Sequence, residues 1–391
     1  MTGYSDLSAD KKRKFEEAIF DYPTLIEQAQ NHLEFFIGFN KDHYRGENES
    51  IKLTWYEYNG LYAEAVALNL PGKHHEVRIS YGTLMELSCD AHALTRFSAG
   101  IRSGELADLY KQFGKTPNLN CHGILPEGLE PAKCQQRLYF HALEWIFHHE
   151  AAHLLQNHAL YRLDGNGHTQ SSLSVAEFGS EEANSISGYA SEISHVTELA
   201  ADYEAIYRLL ISIAISKRLA AKDGLVPDQN MNETDIWLIL GSMASVFLLF
   251  YRCNPSPFNG KALGKHPHPA IRFQFAMRAM ARQIMSPAFK NEFGIDLDEQ
   301  RIGWLAHQVF ITCGSNFIQR YERDPNEAVE FGNLILLDDS IEKAEYYHCI
   351  KSHWERLRRE IKTHYPDQDF FLMEFDEGIT KRATAYAESK K

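Results

Sequence analysis

The chain is poor in several features that mark whole classes of protein. Its six cysteines, at positions 89, 121, 134, 253, 313 and 349, form no C-x-x-C pair. Scattered single thiols argue against a disulfide framework and suit a reducing compartment. Cys121, His122 and Cys134 offer ligands for a second zinc but bring no fourth partner. Basic charge is also short: 40 Lys and Arg stand against 53 Asp and Glu, a net −13, which excludes a general nucleic-acid binder. The opening stretch MTGYSDLSADKKRKFEEAIF lacks the apolar centre of a signal peptide, so a cytoplasmic location is expected. Long apolar runs are missing apart from Ile236 to Tyr251, sixteen residues without a charge. A spanning helix wants about twenty, and Asp235 and Arg252 close this one in. A buried core helix is therefore expected there, and no membrane partner; a membrane-attached form anchored through this segment is the lesser alternative.

Glycine and proline are absent from one further stretch, Tyr139 to Leu163, and there the absence is informative. Apolar residues recur at helical spacing through Leu143, Ile146, Phe147, Leu154 and Leu155, so the stretch is expected to be one helix. Within it His149-Glu150-Ala151-Ala152-His153 has the form H-E-x-x-H. Residues four apart stand one above the other on a helix, so His149 and His153 can offer two imidazoles to one metal ion. Glu150 is turned by about 100°, close enough to take a proton from water at the metal without ligating it. Those three positions fit a Zn2+ cofactor and a hydrolytic use of it.

A third ligand has to come from elsewhere. The metzincin pattern needs Gly and His where this chain has Gln156 and Ala159, and the inverted motif H-x-x-E-H does not occur. What remains is a Glu from a following helix. Glu198 in Thr197-Glu198-Leu199-Ala200-Ala201-Asp202-Tyr203 is the best placed. Asp202, four residues on, shares its face and is expected to accept the outer N–H of a ligand His. Glu181, Glu182, Glu192 and Glu204 compete for the role; His158 and His195 are expected to support the site or the fold. A last signal is Gly264-Lys265-His266-Pro267-His268-Pro269-Ala270-Ile271-Arg272. Either His266 or His268 can assist a developing oxyanion, with His268 preferred, although Pro at a helix start is also plain punctuation.

The surrounding chain reads as α+β and predominantly helical. Ile51–Leu70 alternates around Asn59-Gly60, a hairpin signal, and Glu76–Tyr81 reads as another strand. A small, mostly antiparallel sheet is thus expected ahead of the metal helix, where its edge can hold an extended peptide. Helices are expected at 84–97, 196–221, 234–252, 269–285, 298–322 and 339–364. Asp164–Ser194 and Ser286–Ile295 read as loops, the former as a lid or a solvated insertion, and the last stretch, Tyr365–Lys391, ends in a polar tail open to disorder. Three regions follow: 1–135 with the substrate-side sheet, 136–285 with a zincin-like catalytic core, and 286–391 as a helical remainder.

HEAAH at 149–153, ELAAD at 198–202 and HPAIR at 268–272 together resemble the three-part signature of gluzincin endopeptidases. The HtpX-like and CAAX-processing membrane proteases carry such motifs, but with several long apolar spans. A closer likeness is to the Lit-type phage-exclusion peptidases of bacteria. The match covers about residues 139–275. The resemblance implies a zinc endopeptidase that cuts an intracellular protein, such as a translation factor, under the control of an activating or inhibiting partner. The alternative, from a different class, is a regulatory module whose zinc site is structural or inactive.

Overall fold

The computed structural model describes residues 22–40, 50–68, 75–103, 129–162, 172–176, 186–224, 230–253, 258–295, 297–336, 340–364 and 371–389. The elements in chain order are α1 (Tyr22–Asn40), β1 (Ile51–Tyr56), β2 (Ala63–Leu68), β3 (His75–Ser80) and α2 (Tyr81–Ser103). Next come α3 (Pro131–Leu155), α4 (His158–Arg162), β4 (Ser172–Ala176), α5 (Tyr189–Lys222), α6 (Glu233–Cys253) and α7 (Pro269–Met285). The chain closes with α8 (Pro287–Phe293), α9 (Glu299–Tyr321), α10 (Pro325–Leu336), α11 (Ile341–His364) and α12 (Glu377–Ser389). The architecture is the expected one, helices dominating around a small sheet. A single cluster of buried apolar residues extends from Leu25 in α1 to Ala383 in α12, so the three expected regions share one core.

Helix α3 is the centre. Pro131 opens it at the first helical position, where a missing N–H costs nothing. From Leu138 onward nearly every residue is buried, apolar and polar alike. A helix covered on all sides needs partners on all sides, and α3 has them in α1, α2, α5, α6 and strands β2 and β3. It ends where Asn157 takes a left-handed turn, φ 58°, that feeds α4; Asn tolerates that region better than most residues.

The apolar segment forms α6, and 83% of its most apolar window is buried inside the fold. Among the described residues it is the one helix long and apolar enough to cross a membrane. Its sequence is fitted to the interior instead. Asn232 and Asp235 cap its start reciprocally, side chain to backbone, at 2.9 and 3.2 Å. Ser242 donates to the Leu138 carbonyl of α3 at 2.9 Å, so its hydroxyl is satisfied in the core.

The sheet is mixed, with strand order β1-β3-β2-β4. β1 and β3 run parallel, while β2 is antiparallel to both β3 and β4. The expected hairpin across Asn59-Gly60 does not form: β3 lies between the strands it was to join. Asn59 and Gly60 do not take the positive φ that a two-residue hairpin turn requires. Instead the connector arcs over the β3–α2 junction. The Tyr58 carbonyl accepts from Gly82 N at 2.9 Å, the Gly60 carbonyl from Ser80 Oγ at 2.7 Å, and Tyr62 N donates to Thr83 Oγ1 at 2.9 Å. A Cβ on Gly82 would sit 2.4 Å from the Asn59 carbonyl carbon, which leaves room for glycine only.

Three other stretches differ from expectation. Within Asp164–Ser194, residues 172–176 form β4, and α5 begins at Tyr189. Residues 287–293 of the expected loop form α8, with Ser286 as a cap accepting from Phe289 N. In the expected tail α12 packs against α11 through buried Ile379 and Ala383. Helix α10 was not anticipated at all.

Candidate metal centre

Helices α3 and α5 cross tightly because both carry small residues at the contact. Ala151, Ala152, Ala200 and Ala201 are all buried. The crossing brings His149 and His153 of α3 onto Glu198 of α5. His149 Nε2 and His153 Nε2 are 3.0 Å apart, and the Glu198 carboxylate reaches them at 3.5 and 3.3 Å. Metal–ligand bonds of about 2.0–2.2 Å in a tetrahedral site imply ligand-to-ligand edges of about 3.3–3.6 Å. The two carboxylate contacts, one to each Glu198 oxygen, have that size, and the imidazole pair is slightly closer. The three residues can hold a metal ion, and all are buried.

Hydrogen bonding behind the ligands fixes which nitrogens face the centre. Asp202 Oδ1 lies 2.9 Å from His149 Nδ1 and accepts a hydrogen bond from its N–H. His153 is set by a longer chain. A carboxylate only accepts, so Gln156 must turn its NH2 to Glu204 Oε2, at 2.7 Å, and its carbonyl to His158 Nε2, at 3.1 Å. His158 therefore donates through Nε2 and accepts through Nδ1, and His153 Nδ1 is the donor across the 2.8 Å between them. Arg208 closes the chain on Glu204 Oε1 at 2.6 Å. Both ligand histidines then turn an Nε2 lone pair toward the same point. Two lone pairs 3.0 Å apart beside a carboxylate repel unless a cation sits among them. Burial also pushes His153 down to about 3, partly offset by Glu198, so it is neutral at ordinary pH, the form in which an imidazole can bind a metal.

Glu198 and Asp202 are held ionised. Burial alone would raise the Glu198 carboxyl, but His266, Arg162 and His153 hold it well below the usual range. Arg162, at the end of α4, donates to Glu198 Oε1 at 2.5 Å and to Thr197 Oγ1 at 2.8 Å. Asp202 is likewise kept low, against its burial, by Arg272. Arg272 forks onto both Asp202 oxygens at 2.8 and 2.7 Å and lies 3.4 Å from Glu198 Oε2. Its guanidinium is covered by the rings of Phe250 and Phe247, 5.0 and 5.4 Å away. His149 is stacked on Trp145 with ring centres 5.3 Å apart.

Of the two His-Pro histidines, the structure brings His266 to the cluster, Nδ1 being 3.2 Å from Glu198 Oε2. The loop that carries it is tied to α5: Gly264 N donates to the Ile186 carbonyl, Ser191 Oγ to the Gly264 carbonyl and Ser194 Oγ to the Lys265 carbonyl. His268, preferred from sequence, is placed elsewhere. It caps α7, its Nδ1 accepting from Ala270 N at 3.1 Å, and its ring packs among Tyr251, Phe258 and Phe331. Glu150 is fully buried and lies in electrostatic reach of the Tyr62 phenol, which burial, Glu64 and Glu150 keep protonated.

The remaining candidates are accounted for by other contacts. Glu204 serves Gln156 and Arg208; His195 bridges the Leu263 carbonyl and the Tyr346 hydroxyl at 3.2 and 3.1 Å. Cys134 is buried in the core, while Cys121, His122, Glu181 and Glu182 lie outside the described residues. Sequence reasoning missed Arg162 and Gln156; neither belongs to a motif, and only the fold brings Arg162 to Glu198 and sets Gln156 between Glu204 and His158. Comparison with protein-family models, curated proteins and solved structures returns no match.

Proposed function

We propose that this protein is a zinc-dependent endopeptidase acting on an intracellular protein. The observation that carries the proposal is the pair of Nε2 lone pairs directed, by two separate hydrogen-bonded chains, at one point shared with the Glu198 carboxylate. Two neutral imidazoles and one carboxylate are a donor set suited to Zn2+, and three protein ligands leave a fourth position for substrate chemistry. His149, His153 and Glu198 would hold the ion. When bound, Zn2+ lowers the pKa of water and polarises a carbonyl.

The chain's own residues divide the remaining work. Glu150 takes the proton of the attacking water and passes it to the leaving amine. Asp202 keeps the His149 tautomer, and Arg272 keeps Asp202 ionised. His266, held over Glu198 and partly exposed at 22% of its side chain, offers an imidazole to the oxyanion. β2 packs on α3, and β1 and β4 are the edges of the sheet, where backbone hydrogen bonds can hold an extended peptide. A translation factor is the first substrate to examine, in a phage-defence setting, with a partner protein controlling the activity.

The test is a scan for new protein N-termini in cells expressing either the wild type or Glu150→Gln. New termini confined to the wild type support the proposal and name the substrate. Identical termini in both, from protein that carries zinc, would leave a regulatory module with a structural site as the better account.

A further inference from the structure

A second group of metal-ligating side chains stands apart from the first. Glu192 lies in the first turn of α5, and Cys349 and His353 lie in α11. The two α11 residues are four apart, so they share one face of that helix. His353 Nε2 is 2.9 Å from Glu192 Oε2, and the Cys349 thiol also bonds to the Glu192 carboxylate. One ligand atom from each of the three falls within 4.8 Å of the others. All three are half-buried, so solvent and ions reach them. The Tyr189 ring meets His353 edge-on, centres 5.4 Å apart, and its hydroxyl is held by Arg356, which limits where the imidazole can turn.

We propose that Glu192, Cys349 and His353 form a second metal site, for Zn2+ or a cation of similar softness, that clamps α11 to α5. A thiolate, an imidazole and a carboxylate together favour Zn2+ over Ca2+ or Mg2+, which take oxygen ligands. Water completes the shell from the open side. On uptake the Cys349 S–H bond breaks, its proton goes to solvent and a sulfur–metal bond forms. A nucleophilic role for Cys349 fits less well, because His353 Nε2 faces Glu192 and the thiol's own partner is an anionic carboxylate, which disfavours a thiolate. Burial, with Glu192 and Glu345, also keeps the unbound thiol protonated, pushed up to about 12.

The clamp has a structural consequence for the first site. Glu192 precedes Glu198 by six residues on α5, a rise of about 9 Å. Metal at Glu192 therefore fixes the helix end that carries Glu198 and Asp202. The His195–Tyr346 hydrogen bond already joins the same two helices at 3.1 Å.

The test loads the reduced full-length protein with Co2+, because a cobalt–thiolate bond has a near-ultraviolet charge-transfer band that a His/Glu site cannot give. The wild type should show the band. His149→Ala should keep it, which separates this site from the first. Cys349→Ser should lose it while the protein keeps the cobalt bound at His149 and His153. His353→Gln, which leaves the thiol in place, should weaken the band's cobalt affinity by more than about 10-fold. Circular dichroism checks that the variants fold. No band in the wild type, or a band that survives in Cys349→Ser, would overturn the proposal and leave the endopeptidase proposal untouched.

Discussion

Asp202→Asn is the most revealing single change, because it keeps the shape and removes one charge. Three N–H groups converge on the native carboxylate: Nε and Nη2 of Arg272 at 2.8 and 2.7 Å, and Nδ1 of His149 at 2.9 Å. An amide offers one oxygen and an NH2, so at least one of the three meets a donor instead of an acceptor. Arg272 is buried, and breaking a buried pair from one side costs about 3–5 kcal/mol. The low end is expected, about 3 kcal/mol, since Glu198 at 3.4 Å remains as a partner. That remaining partner is one of the proposed metal ligands, so the guanidinium will compete for it. His149 also loses the group that sets its tautomer, a change that weakens metal affinity about 10–100-fold. The assays are zinc competition with a chelator and urea unfolding of the metal-free proteins. Zinc affinity within about two-fold of wild type, with unchanged stability, would refute the role given to Asp202.

Four further outcomes are expected. Glu150→Gln should keep its zinc and lose about 10²–10⁴-fold or more in peptide cleavage, measured on the substrate found by the terminus scan. His266→Ala should cut turnover and spare stability, whereas His268→Ala should cost about 1 kcal/mol as a lost cap and spare turnover; the reverse pattern would return the oxyanion role to His268. Gly82→Ala should destabilise by about 1–3 kcal/mol in thermal or urea unfolding, because the new methyl meets the Asn59 and Gly60 carbonyls. Asp235 is buried, which raises its carboxyl, but Lys217 and Arg137 hold it below the usual value. It therefore stabilises the fold above its unfolded pKa, and that stabilisation is lost as pH falls through the lower folded value. Asp235→Asn should be less stable at neutral pH and lose less stability between about pH 5 and pH 2, followed by urea unfolding.

The helical half of the site was legible because its information is local. A spacing of four on an uninterrupted helix places His149 over His153, and the same spacing places Glu198 over Asp202, whatever the rest of the chain does. The choice between His266 and His268 was not local. Each precedes a proline, and the fold separates them by turning one onto Ala270 N and tying the other to α5 through Ser191 and Ser194. The same holds for the chain behind His153, in which Gln156, just past the end of α3, meets Glu204 of α5. Asn59-Gly60 favoured a hairpin on its own terms, but the backbone partners offered by Ser80, Gly82 and Thr83 claimed that connector. β4 is short and lies in a Ser-rich stretch, and α12 is mostly polar, burying Ile379 and Ala383 on one narrow face, so neither has the apolar content that marks the core elements.

Metal analysis of purified wild type, Glu150→Gln and His149→Ala, each on the Cys349→Ser background, tests the central claim most directly. One tightly held zinc is expected in the first two and none in the third, with Glu150 dispensable for binding because the group that can hold the ion is His149, His153 and Glu198. Zinc retained at full occupancy after His149→Ala, or no metal in the parent protein under zinc-replete conditions, would contradict it.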